Sequence, residues 1–124
     1  MRAALKTSSN RAAVRMLEMV GVSSAVDYAK RLGLGDVPAV PSLALGSGEV
    51  TLFDMTSAYG AFANSGVWER PQLVRRVEDT EGNVLFRAEE TAVEAVSPAT
   101  AFLMSSMLAD VIDSGTGWKA RQLG

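Results

Sequence analysis

The chain has neither cysteine nor histidine. That removes the commonest zinc, iron and copper ligands, the cysteine nucleophiles and every triad whose base is an imidazole. Covalent chemistry would have to use serine or threonine with a base of another kind. The missing cysteines do not decide the compartment, because a protein with enough core needs no disulfide outside the cytoplasm. An excess of one charge is also missing: 12 basic and 14 acidic residues give a formal net charge of -2, and the signs are interspersed. Such a surface has no footprint for a phosphate backbone, so nucleic acid is not an expected partner. No stretch reaches the roughly 18 consecutive apolar residues of a membrane helix. The amino terminus lacks the basic, apolar and small-residue succession of a signal peptide. A protein of this kind working outside the cytoplasm would carry its targeting segment elsewhere.

What is present is a core-forming composition. Hydrophobic residues make up 48% and charged residues 21% of 124 residues, which suits one domain, or a piece of one, and not a disordered tail. There is no internal repeat and no low-complexity segment.

Caps and periodicity give the organisation. Residues 5–17 read LKTSSNRAAVRML, three hydroxyls and an amide ahead of an apolar and basic alternation. Ala13, Val14, Leu17 and Val20 follow at near-helical spacing, predicting a helix of about 10 residues that ends at Gly21. Ser8 or Ser9 is its natural cap, and the Asn10 amide could serve the same orphan donors. A second helix is predicted from Ser23 or Ser24, where Ser24 and Asp27 fit a capping box, with Val26, Tyr28, Ala29 and Leu32 on its buried side. Residues 34–49 combine glycine and proline with apolar side chains and read as an ordered, partly buried loop anchored by Leu43 and Leu45. Thr51 and Asp54 form another capping box, with a Val50–Met55 staple and an apolar face of Met55, Ala58, Tyr59, Phe62 and Ala63. Short apolar runs around EDTEGN predict a two-stranded ribbon turning at Gly82 or Asn83. A last helix starts at Ser97 with Pro98 in its first position and runs through Phe102, Met104, Leu108 and Val111 towards Gly115. No element is expected before the first helix, and both ends read as cut through a larger fold, because two strands cannot make the sheet that this many helices normally cover.

Four stretches in order carry a resemblance. They are Ser8-Ser9-Asn10 entering RAAVRML, PSLALGSGEVTLFDMTSAYGAFANSG over residues 41–66, the VEDTEGNVLF ribbon, and MLADVIDSGTGWKA. Together they resemble the transpeptidase domain of class A penicillin-binding proteins, the bifunctional enzymes of bacterial cell-wall synthesis. One departure is Leu52, where the family commonly has proline after the capping threonine. The resemblance implies a mixed α+β (α/β) chain, a mostly helical part of a serine β-lactamase/transpeptidase-like fold with a small β ribbon. It also implies that residues 1–124 are an internal portion of that domain, with both flanks missing.

The activity implied is D,D-transpeptidation: a serine attacks the D-alanyl-D-alanine end of a peptidoglycan stem peptide, and the acyl group passes to an amine on a neighbouring stem. Penicillins occupy the same nucleophile. Resemblance assigns Ser8, in a Ser-x-Asn motif, to proton relay and Asn10 to orienting the substrate backbone, and has Gly115, Thr116 and Gly117 shape the approach to the catalytic strand. Ser9 is read as a spacer. The family's Ser-x-x-Lys lies upstream and its Lys-Thr-Gly downstream of this stretch. Lys6-Thr7-Ser8 lacks the glycine and leads into a helix; Thr116-Gly117-Trp118-Lys119 has threonine for serine and no helical entrance. No cofactor is expected. Implied partners are stem peptides, β-lactams and other cell-wall synthesis proteins, with the parent anchored in the bacterial cytoplasmic membrane and this region outside it. The alternatives are a non-catalytic peptidoglycan-binding protein on the same scaffold, or a self-contained helical interaction module with no unfinished sheet edge. Without nucleophile and catalytic lysine, residues 1–124 alone are predicted to remain unlabelled by a fluorescent penicillin; stoichiometric labelling of the purified chain would overturn this.

Overall fold

The structure, a computed structural model, describes residues 1–123. Along the chain come α1 (Arg2–Lys6), α2 (Asn10–Val20), α3 (Val22–Arg31), a 3-10 turn (Pro41–Leu45) and α4 (Leu52–Ala63). Strands β1 (Val67–Glu69), β2 (Arg76–Glu78), β3 (Val84–Arg87) and β4 (Ala92–Glu94) follow, then α5 (Pro98–Ser114) and a 3-10 stretch, Trp118–Leu123.

Hydroxyl caps start three of the helices. The side chains of Ser9, Thr51 and Ser97 accept from the amides of Ala12, Asp54 and Thr100, each satisfying a donor that has no partner within its helix. At α4 the box closes through side chains: the Thr51 hydroxyl donates to the Asp54 carboxylate at 2.6 Å. Leu52, in the first helical position, is exposed, so it fits where the family commonly has proline without any packing conflict.

Two expectations about the helices are corrected. α3 begins at Val22 with no side-chain cap, because Gly21 (φ +88°) ends α2 and opens α3 in a single residue; the Ser24–Asp27 box has no helix start to serve. An element also precedes the first predicted helix. The five-residue α1 is too short to persist by itself, and the Arg2 guanidinium ties it to α5, donating to the Ser106 carbonyl at 3.1 Å, the Ser106 hydroxyl at 2.9 Å and Asp110 at 2.6 Å.

The ribbon is β2 with β3, antiparallel, pairing Arg76 with Arg87 and Val77 with Phe86, with an irregularity between Val77 and Glu78. Gly82 supplies the positive angle of its turn (φ +85°). The Asn83 side chain and the Asn83 and Glu81 amides all donate to Asp79, and these bonds, the Asn83 side chain first, hold its carboxyl below the usual carboxylate range. A second antiparallel pair, β1 with β4 in the register Val67 with Glu94 and Glu69 with Ala92, encloses the ribbon. Its strands have three residues each and stand far apart in sequence, too short for any alternation to announce them.

The buried apolar residues are small: Ala58, Ala61, Ala95, Val96 and Ala101. They collect where α4, β4 and the start of α5 meet, and Gly66 (φ +93°) sits in the joint. Its amide donates to Ala61 and its carbonyl accepts from both Ala95 and Val96; a Cβ there would lie 2.0 Å from the Val96 carbonyl oxygen. Several side chains expected inside are instead open: Tyr28 is 48%, Tyr59 53% and Phe102 73% exposed, because no element among the described residues packs over their sides. Leu45 is open too, while Leu43 is half-buried. The chain exposes 8919 Å², well above the roughly 6,400 Å² of a folded monomer of its mass. No helix among the described residues is long and apolar enough to cross a membrane.

Gly66→Ala should cost about 3 kcal/mol or more, since it combines a backbone clash with a positive φ. Gly60→Ala, inside α4 with open space at the new Cβ, should be neutral or stabilising by up to about 1 kcal/mol; urea denaturation of both variants checks the contrast.

Candidate active site

Ser8, Ser9 and Asn10, across the α1–α2 turn, take three different conformations. The Thr7 hydroxyl donates back to the Ala3 carbonyl at 2.9 Å, and the Ser8 and Ser9 amides donate to Leu5 and Ala4. Ser8 is held at φ +54°, the left-handed region, which costs an L-residue about 1 kcal/mol. Ser9 is extended and spends its hydroxyl on the cap of α2, with Ala12 donating at 3.4 Å. Asn10 is the first helical residue.

This division leaves two polar groups free. Neither the Ser8 hydroxyl nor the Asn10 side-chain amide has a hydrogen-bond partner among the described residues, and both residues are exposed. They border one groove of 590 Å³, whose walls include Leu5, Ala13, Met16, Leu17, Leu43 and Met104. No charged side chain among the described residues lines it. Two uncommitted groups, a hydroxyl and an amide, thus face a predominantly apolar trough between α1, α2, α5 and the 3-10 turn. A second cavity, 720 Å³, lies between α4 and the strand connections, lined by Glu69, Arg70, Arg75 and Glu90 among others, and shares no residue with the first.

Gly115, Thr116 and Gly117 do not line the groove. The Thr116 amide instead donates to the Lys6 carbonyl at 3.1 Å and the Gly117 amide to Val111 at 3.0 Å, so the segment lies against the end of α1, two residues before Ser8. Lys6-Thr7-Ser8 occupies the end of α1 and the turn after it, with no strand. Thr116-Gly117-Trp118-Lys119 does enter a helix, contrary to expectation, but a 3-10 one starting at Trp118. Ser47 is bonded by the Ser42 hydroxyl at 3.0 Å beside the left-handed Gly46, a turn with no base at hand.

Sequence reasoning missed Arg2 and its partners. Ser106 and Asp110 stand four residues apart on α5 and so share a face, which was a legible signal of a shared partner; which partner it was depended on a helix too short to be read.

A sequence model of the family described as "Penicillin binding protein transpeptidase domain" matches residues 1–123. The chain belongs to the penicillin-binding protein transpeptidase family. Among curated relatives, penicillin-binding protein 1A of Clostridium novyi (strain NT) is 34% identical over 94% of this chain and 14% of its own length. The protein of the same name from Neisseria gonorrhoeae is 33% identical over the whole chain and 16% of its own length. The chain therefore spans less than a fifth of these relatives. In solved structures, penicillin-binding protein 1A from Haemophilus influenzae superimposes with a TM-score of 0.87 at 24% identity, covering 98% of this chain and 24% of that one. The D,D-transpeptidase domain of the peptidoglycan glycosyltransferase from Eggerthella lenta gives 0.77 at 25% identity, covering 94% and 37%. An imipenem acyl-enzyme complex of penicillin-binding protein A from M. tuberculosis gives 0.76 at 20% identity, covering 90% and 31%. The expected mixed fold, mostly helical with little sheet, is thus that of a transpeptidase, present in part. The resemblance to class A enzymes agrees with relatives named penicillin-binding protein 1A.

If Ser9 is the cap and its neighbours are free of structural duty, Ser9→Ala should cost about 1 kcal/mol. Ser8→Ala and Asn10→Ala should stay within about 0.5 kcal/mol of the parent, as equilibrium denaturation of the three variants would measure.

Proposed function

We propose that residues 1–124 are an internal portion of a serine D,D-transpeptidase domain, with Ser8 and Asn10 forming one wall of its acyl-transfer cleft. The observation that carries this is the pairing of an uncommitted Ser8 hydroxyl with an uncommitted Asn10 amide on the rim of one apolar groove, while the residue between them is used as a helix cap. A serine alcohol is a weak nucleophile at neutral pH and needs a base and a proton path. In this reading the Ser-x-x-Lys element of the parent protein seats along the groove, where the apolar walls keep its lysine desolvated and able to act as that base.

The nucleophilic oxygen then bonds to the carbonyl carbon of the stem peptide or β-lactam, and the carbon–nitrogen bond breaks. The lysine takes the nucleophile's proton and returns it by way of the Ser8 hydroxyl to the departing nitrogen. Asn10 donates to and accepts from the substrate amide, holding the carbonyl for attack. Support comes from the family membership and from an acylated neighbour of the same fold, the M. tuberculosis protein with imipenem. The partners are peptidoglycan stem peptides, β-lactams and other wall-synthesis proteins, and the parent protein is anchored in the cytoplasmic membrane with this region outside. A self-contained helical module fits poorly, because such a module would not leave so large an apolar surface open.

In the complete protein, Ser8→Ala should slow acylation by a fluorescent penicillin about 10²- to 10⁴-fold, the usual range for a lost acid–base group. Asn10→Ala should chiefly weaken the reversible step before acylation. An unchanged rate in Ser8→Ala would sink the relay role, and a complete parent protein that is not acylated at all would favour the non-catalytic peptidoglycan-binding scaffold.

A further inference from the structure

We infer that the Gly115–Thr116–Gly117 segment is a positioning strap for Ser8, acting through the backbone of α1 and not by touching substrate; this rests on the reading of Ser8 as a proton relay. The Lys6 carbonyl belongs to the last turn of α1, where helix carbonyls have no partner within the helix. It accepts the Thr116 amide at 3.1 Å. That approach depends on Gly115, at which a Cβ would stand 2.6 Å from the Lys6 oxygen and 2.8 Å from both the Cα and the carbonyl oxygen of Val111. With φ at -111°, the reason for glycine here is space and not backbone conformation. Behind it the strap is fixed to α5, since the Gly115 and Gly117 amides both donate to the Val111 carbonyl. A Cβ at Gly117 would meet the Ile112 side chain at 2.8 Å.

The other end of α1 is held by Arg2 on Ser106 and Asp110. A five-residue helix with no stability of its own is thereby pinned at both ends, to α5 by Arg2 and to the strap by the Lys6 carbonyl. Ser8 takes its place from that helix: its amide is bonded to Leu5, the next amide to Ala4, and its backbone sits in the left-handed region. A side chain forced into Gly115 must displace either α1 or the end of α5, and displacing α1 carries the Ser8 hydroxyl with it. None of the three strap residues lines the groove, so their influence on the Ser8 hydroxyl runs through α1, by the Thr116 bond to Lys6. In acyl transfer, misplacing a reacting group by about 1 Å costs on the order of 100-fold in rate.

The test uses the complete protein and the acylation kinetics of a fluorescent penicillin, read as a rate constant and as a final labelling stoichiometry. Gly115→Ala should slow acylation about 10- to 100-fold while labelling still goes to completion. Combined with Ser8→Ala it should add no further loss, because the group being positioned is already gone. A folded Gly115→Ala at the parent rate, a lower stoichiometry at the parent rate, or losses that multiply in the double variant would each overturn the strap. Should Gly115→Ala not fold, Arg2→Ala replaces it in the same cycle. There, slower acylation that vanishes in the Ser8→Ala background supports the strap, and an unchanged rate or an additive loss overturns it. Ser8→Ala alone at the parent rate overturns the relay reading and the strap with it, and is told apart because the single variant already reveals it.

Discussion

Close backbone contact through glycine holds this chain together. The buried side chains are alanines and one valine, so elements pack closely, and three glycines mark close approaches. Gly66 joins α4 to β4 and the start of α5, Gly33 gives the Trp68 ring a bed at the end of α3, with the indole carbons 2.4 Å from where a Cβ would be, and Gly115 brings the end of α5 against α1. At Gly33 and Gly66 a positive φ adds to the lack of space. Burial of large side chains, the usual source of domain stability, is supplied only thinly.

The turn between α1 and α2 shows how such a scaffold serves chemistry. A helix start needs one hydroxyl, and Ser9 provides it. The left-handed backbone of Ser8 and the helical entry of Asn10 then leave their polar groups unspent on either side. Conformational cost at a functional position is tolerated when neighbouring structure imposes it, and here the imposing structure is α1, bound to α5 through Arg2 and to Thr116, just past α5, through the Lys6 carbonyl.

Apolar faces stand open beside the family finding. The chain corresponds to 24% of the Haemophilus influenzae chain on which it superimposes. Phe102, Tyr59 and Leu45 lie exposed, and the groove beside Ser8 is open, among the described residues. Such faces cost hydrophobic free energy for as long as they remain in water.

Much was legible from the residues alone. Thr51 and Ser97 as helix starts, a hydroxyl cap at Ser8 or Ser9, a ribbon turn at Gly82 or Asn83, and the span of the helices before Gly21 and Gly115 follow from capping and turn chemistry, which act over three or four residues. The Ser8 and Asn10 candidates also came from a local pattern, a Ser-x-Asn in a familiar succession of motifs. What the sequence could not disclose depends on partners distant along the chain. The start of α3 directly at Gly21, the existence of α1, the pairing of β1 with β4, and the bond from Thr116 to Lys6 each need a second element to be in place first. Ser8 and Asn10 were named by sequence; that Ser9 takes the cap and leaves them free was decided by the structure, because Ser8 closes the end of α1 in the left-handed region, its amide bonded to Leu5, and Ser9 is left extended at the entrance to α2, with α1 itself held on α5 by Arg2.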